Sequence, residues 1–147
     1  MPVTDCYVDT SVLVKLYVAE PLSEEAEKFI DTLNRPLISS LSILEWHCAM
    51  NRRWRNGAFD DAYHQMARAE FARHLASGAY RVHALHEGLY SQATYLLASV
   101  TPLALRTLDA LHLAAAQSAH ASTIATADKI MAQAANQLGL ETTTFFN

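Results

Sequence analysis

The chain has 147 residues, long enough to bury one sizeable core and short enough to be a single domain over residues 1–147. At 51% hydrophobic with only 4 Gly and 4 Pro, it does not have the composition of a disordered or low-complexity chain. The formal net charge of −4, from 15 acids against 11 Lys and Arg, excludes a globally basic nucleic-acid binder, so any such surface must be local.

The first residues, MPVTDCYVD, lack the basic-then-apolar layout of a secretory leader, and a cytoplasmic protein is expected. Residues 4 to 8 read as a strand, and 10 to 17 (TSVLVKLY) as a short helix capped by Asp9 or Thr10. After Pro21, Ser23-Glu24-Glu25 opens an amphipathic helix carrying Ala26, Phe29, Ile30 and Leu33 on one face. Asn34-Arg35-Pro36 ends it. A short strand near Leu37 to Ser39 leads into a helix closed by Asn56-Gly57, with Glu45 in or just after its first turn.

Asp60 or Asp61 caps a helix to about Ala76, stopped by Gly78, and a strand follows around Tyr80 to Leu85. A helix from about Glu87 to Ser99 comes next, and Pro102 interrupts. RTLDALHLAAAQSAH then reads as a helix from about Thr107, apolar on every side and therefore buried. STIAT is a strand leading through Asp128 into the helix KIMAQAANQL, which Gly139 stops before a last strand from Thr142 to Phe146. Residues 88 to 105 and 110 to 127 lack acids, Lys and Arg but are studded with polar residues, so neither should span a membrane. Short strands alternating with helices predict an α/β fold with a mainly parallel sheet covered on both faces.

In such sheets ligands bind outside the carboxyl ends of the strands. Asp9 follows the first strand, Glu45 lies in the helix after the second, Asp109 opens the buried helix, and Asp128 follows STIAT, so all four are expected at one edge. Singly, each has a structural reading. Asp9 and Asp128 can be N-caps, Asp109 a first-turn acid favoured by the helix dipole, and Ser42-x-x-Glu45 a capping box. Jointly they make an energetic demand, because two carboxylates about 5 Å apart at an effective dielectric of about 20 repel by roughly 3 kcal/mol. Protons or a cation must compensate. Oxygen-only ligands suit a hard divalent ion, Mg²⁺ or Mn²⁺, and metal-assisted phosphodiester hydrolysis is the chemistry such a site supports. Ser11 and Thr126 can add hydroxyls that orient the carboxylates.

At these residues the chain resembles the PIN-domain nucleases, in particular the VapC-type toxins of bacterial toxin–antitoxin pairs. YVDTSVLVKLYVAE, SSLSILEW, RTLDALHLAAA and IATADKIMAQAANQLGL fall in the family's order and approximate spacing, nearly end to end. The resemblance implies a PIN-like α/β/α sandwich with Asp9, Glu45, Asp109 and Asp128 as catalytic metal ligands and Ser11 and Thr126 in support. It further implies Mg²⁺- or Mn²⁺-dependent endoribonuclease activity on RNA, homodimerisation, and inhibition by a cognate antitoxin. Two departures stand out: Met131 and Ala132 occupy a stretch where some relatives carry a further acid, which bears on a second metal, and EWHCAM is a bulky continuation after Glu45.

Arg52, seven residues after Glu45, shares its helix face and can hold a phosphate, and Arg53 and Arg55 are RNA-contact candidates or a solvated helix end. Arg68, Arg73 and Arg81 extend a basic middle third. His112 reads as a core histidine within reach of a carboxylate, not as a general base. His83-x-x-His86 reads as chance, Trp46, Met50 and Trp54 as core packing with a possible partner face, and Cys6 and Cys48 as reduced thiols. Two alternatives stay open: a PIN nuclease acting on DNA or in RNA maturation without an antitoxin, and a cation-binding signalling module that does no chemistry.

Overall fold

A computed structural model describes residues 5–146. The order is β1 (Cys6–Val8), α1 (Thr10–Leu13), a 3₁₀ turn (Val14–Leu16), α2 (Ser23–Asp31), β2 (Leu37–Ser39), α3 (Ser40–Arg55), α4 (Asp61–Ala76) and β3 (Arg81–His83). It continues with α5 (Gly88–Ser99), α6 (Thr107–Ser118), β4 (Thr123–Thr126), α7 (Lys129–Gln137) and β5 (Glu141–Thr144). Residue 4, the expected start of the first strand, lies outside the described residues, as do the first four residues of the stretch read for a leader. No helix among the described residues is long and apolar enough to cross a membrane.

The five strands form one sheet in the order β3-β2-β1-β4-β5, and every pairing is parallel, where a mainly parallel sheet was expected. Parallel strands need crossovers and are buried on both faces, which is why the central strands are continuous apolar runs. Alternation of side chains sorts them into two cores. Tyr7, Leu37 and Ile124 pack with α5, α6 and α7, while Cys6, Val8, Ile38 and Ala125 pack with α1, α2, α3 and α4. Three layers result, helices on each side of the sheet. In α6, residues Asp109 to Ala116 are all buried, and four of the eight are alanines that let the helix sit close to its neighbours.

Three expectations about helix starts change. The helix expected over 10–17 is α-helical only to Leu13 and tightens to 3₁₀ geometry. Asp9 occupies the N-cap position of α1, yet its side chain makes no cap hydrogen bond. The capping box is Ser39 with Ser42, not Ser42 with Glu45: α3 begins at Ser40, directly after β2 as expected, and Glu45 falls in its second turn. Asp60 and Asp128 do cap α4 and α7, accepting from Tyr63 N and Met131 N. Gly139, at φ +83°, takes the left-handed conformation that ends α7.

Candidate acidic active site

Asp9, Glu45, Asp109 and Asp128 all line one open cavity of about 590 Å³ at the carboxyl edge of the sheet. Thr10, Ser11, Cys48, Arg52, Arg53 and Arg106 share its wall. Asp9 and Asp128 arrive directly from the ends of β1 and β4, which are neighbours in the sheet, and α3 and α6 bring the other two acids over the same edge.

Asp9 is only 5% exposed. Its Oδ2 accepts from Ser11 Oγ at 2.7 Å and Thr126 Oγ1 at 2.9 Å, the two hydroxyls singled out in the sequence. Those hydroxyls are in turn fixed by backbone: Ala127 N donates to Ser11 Oγ and Asp128 N to Thr126 Oγ1, each at 3.0 Å. The turn after β4 is thereby locked to the turn after β1.

Glu45 Oε1 accepts from Thr10 Oγ1 at 2.7 Å and forms a short contact with His112 Nε2. His112 is 1% exposed, and its Nδ1 meets Tyr7 Oη at 2.7 Å, whose hydroxyl donates onward to Ser39 Oγ at 2.8 Å. With Tyr7 donating to Ser39 and Glu45 an acceptor, both ring nitrogens of His112 act as donors, the pattern of an imidazolium. Burial disfavours that charge, but the Tyr7 oxygen and the Glu45 and Asp9 carboxylates outweigh it and hold the pKa of His112 above its ordinary value. Burial would likewise raise Glu45, yet the hydrogen bond and charge of His112 prevail and its carboxyl sits below the usual range. His112 is thus both a core histidine and a partner of the site.

Arg106 is the residue sequence reasoning passed over. At the N-cap position of α6, it sends Nε to Asp109 Oδ2 at 3.1 Å and Nη2 to Asp128 Oδ2 at 3.2 Å. Burial pushes the Asp109 carboxyl up against the pull of Arg106, with Asp9 and Asp128 adding to the rise. The signal available was a basic residue three before an acid, the spacing that makes side chains meet on a helix.

The arginines expected to contact RNA separate. Arg52 and Arg53 line the cavity and Arg55, the last residue of α3, does not. Arg53 is also tied to Glu20 Oε2 at 3.1 Å. Arg81 is paired with Asp5 at 3.0 Å where β3 begins, at the opposite edge of the sheet, so it does not extend a track from the cavity. Trp46 and Met50 are core, and Trp46 stacks on Phe71. Trp54 is 40% exposed, with Nε1 donating to Asp61 Oδ1 at 2.7 Å. His83 contacts Ser118 Oγ at 3.1 Å, and Cys6 and Cys48 are free thiols.

Among the described residues, no group of three or more His, Cys, Asp or Glu side chains is disposed as it stands to hold a metal ion. The reason is visible in the partners: Arg106 spans Asp109 and Asp128, and His112 holds Glu45. The donor chemistry of the four acids nonetheless fits a hard divalent cation, since carboxylates offer only oxygen and the imidazole of His112 is engaged at both nitrogens, while the free thiol of Cys48 also lies on the wall.

The model of the PIN domain matches residues 6–137. Comparison with curated proteins found no significant match. Among solved structures, the chain is similar to FitAcB from Neisseria gonorrhoeae, at 14% identity over 97% of this chain and 96% of that one, with a TM-score of 0.73. It is similar to VapC20 of Mycobacterium tuberculosis, described as a Sarcin-Ricin loop cleaving toxin, at 20% identity over 82% and 87% of the two chains, with a TM-score of 0.66. A toxin–antitoxin complex from Klebsiella pneumoniae is similar at 18% identity over 84% and 87%, with a TM-score of 0.60.

Proposed function

Because the chain belongs to the PIN-domain family, we propose that it is a Mg²⁺- or Mn²⁺-dependent endoribonuclease, the toxin of a toxin–antitoxin pair, formed by one PIN-like domain over residues 1–147 and acting in the cytoplasm. The observation that carries this reading is the convergence of Asp9, Glu45, Asp109 and Asp128 from four separate segments on one cavity. Capping accounts for Asp128, but not for Asp9, whose side chain caps nothing, nor for Glu45 in a second turn. The similarity in fold to a toxin described as cleaving the Sarcin-Ricin loop and to a toxin–antitoxin complex supports the choice of RNA and of an antitoxin partner.

In this reading the four acids hold the cation. Bound there, a divalent ion supplies Lewis-acid polarisation of the phosphodiester and a more acidic attacking water. The chain's own residues do the rest. Ser11 and Thr126 hold Asp9 in one orientation through Oδ2. His112 and Thr10 keep Glu45 ionised and aimed, and the N-terminus of α7 fixes Asp128 through Met131 N. Arg52, on the same wall, is placed to carry a phosphate of the strand.

Purified protein should cut a structured RNA with Mg²⁺ or Mn²⁺ and not in excess EDTA. Asp9→Asn should lower the rate by at least about a hundredfold, beyond what losing an outer partner of a metal ligand costs, with an unchanged circular dichroism spectrum. Equal cleavage by the variant, or in EDTA, would overturn the reading. Expression should arrest growth and co-expression of the antitoxin relieve it, and light scattering should report a homodimer.

A further inference from the structure

The acids of the cavity meet two basic side chains that are held in opposite ways. His112 is buried and bonded at both ring nitrogens, a fixed part of the core. Arg106 is 75% exposed, and its recorded partners are Asp109 and Asp128, reached through the guanidinium. Ion pairs as exposed as these contribute little, so the arginine is easily released. Both bonds go to Oδ2 oxygens of the proposed ligand set, and a guanidinium and a divalent cation repel one another at such range.

We propose that Arg106 is a displaceable occupant of this site: it bridges Asp109 and Asp128 until a divalent cation takes those carboxylates, then swings clear and binds a phosphate of the RNA. The inference rests on the nuclease reading above. Its second half follows from tethering. The Arg106 backbone stays at the N-cap of α6 on the cavity wall, so the released fork remains within a side chain's length of the site. A planar fork of five donors suits a phosphate as well as it suits two carboxylates. One residue would thus neutralise the acids while the site awaits its ion and contact substrate once the ion is in.

A residue that merely positions the acids would give the opposite sign on substitution, and this makes the test decisive. Mn²⁺ binding is measured by calorimetry on the whole chain and on Arg106→Gln and Arg106→Lys. Arg106→Gln should bind Mn²⁺ about fivefold more tightly, as expected for removing an exposed competitor worth roughly 1 kcal/mol, and Arg106→Lys should fall between it and the parent. Binding of a short single-stranded RNA is then followed by anisotropy against salt, with Ca²⁺ as an oxygen-seeking stand-in. With Ca²⁺ the salt slope of Arg106→Gln should be shallower by about 0.7, the share of one phosphate contact, and in EDTA the slopes should coincide. Unchanged or weaker Mn²⁺ binding by Arg106→Gln, or equal slopes with Ca²⁺, overturns the proposal while a parent that binds Mn²⁺ and cuts RNA keeps the nuclease reading. A parent that binds no Mn²⁺ overturns both. Arg106→Lys carries the same comparison should the glutamine variant fold poorly.

Discussion

Removing charge from the acidic cavity has opposite effects depending on which partner is removed. His112 lies at the centre of a buried chain from Ser39 through Tyr7 to Glu45, so His112→Ala removes the one basic partner that this carboxylate and this phenol have among the described residues. Breaking a buried ion pair from one side costs several kcal/mol, and because Glu45 retains some exposure we expect about 2–3 kcal/mol, read as a lower urea midpoint. Asp109→Asn runs the other way. Asp109 is 9% exposed, shares the cavity with three other acids, and among the described residues is paired only with an exposed arginine. In EDTA the variant should gain about 0.5–1 kcal/mol while cleavage is lost, the usual exchange of stability against a functional cluster. His112 illustrates what one sequence can and cannot convey: its spacing from Asp109 put it near the site, but only the fold brings Tyr7 and Glu45 to its two nitrogens.

Among the elements, the strands and most helices were legible because apolar runs, Gly stops and N-cap residues marked them. Asp60 is such a mark: its side chain accepts from Tyr63 N at 2.8 Å, and Asp60→Ala should cost about 1 kcal/mol without touching activity. The capping box of α3 was misplaced for a physical reason. SSLS offers several hydroxyls, and the one that caps is chosen by what else it can reach. Ser39 is completely buried and also receives the Tyr7 hydroxyl, a contact invisible in local sequence. Ser39→Ala should therefore cost about 2 kcal/mol in a thermal melt, above a simple cap loss, because it leaves Tyr7 short of an acceptor. Placing the box at Ser39 and Ser42 turned Glu45 from a capping-box acid into one with no local duty. For that reason the acid set was easier to recognise from its recurrence at strand ends than from any single helix.

For the molecule as a whole, the layered α/β arrangement followed from alternation of short strands and helices, and the exclusive parallelism followed from crossovers over each face. What sequence did not show was the polar network at the edge opposite the cavity. There Tyr17 Oη meets Tyr80 Oη and His74 Nδ1, each at 2.7 Å, joining the end of the 3₁₀ turn to α4 and the approach to β3. Burial raises the pKa of both phenols; the contact with Tyr80 raises Tyr17 further, while the hydrogen bond to Tyr17 pulls Tyr80 down without cancelling its rise. Unfolded tyrosine loses its proton near pH 10, while the folded pair keeps it to higher pH. Stability from this pair is therefore full below about pH 10 and declines as pH climbs past it, at up to about 1.4 kcal/mol per pH unit for each tyrosine. Alkaline melts should show this decline, and Tyr17→Phe should flatten it.

The hydroxyl of Thr126 that steadies Asp9 comes from 117 residues further along the chain. Synthesis runs from the amino end, so a nascent polypeptide carries Asp9 and Glu45 long before the strand that completes their setting exists. The full set of four acids can assemble only when Asp128 has been translated and β4 has slid in beside β1. A nuclease built this way would be born inert beside the ribosome that makes it, and would become dangerous only once β4 had emerged and paired.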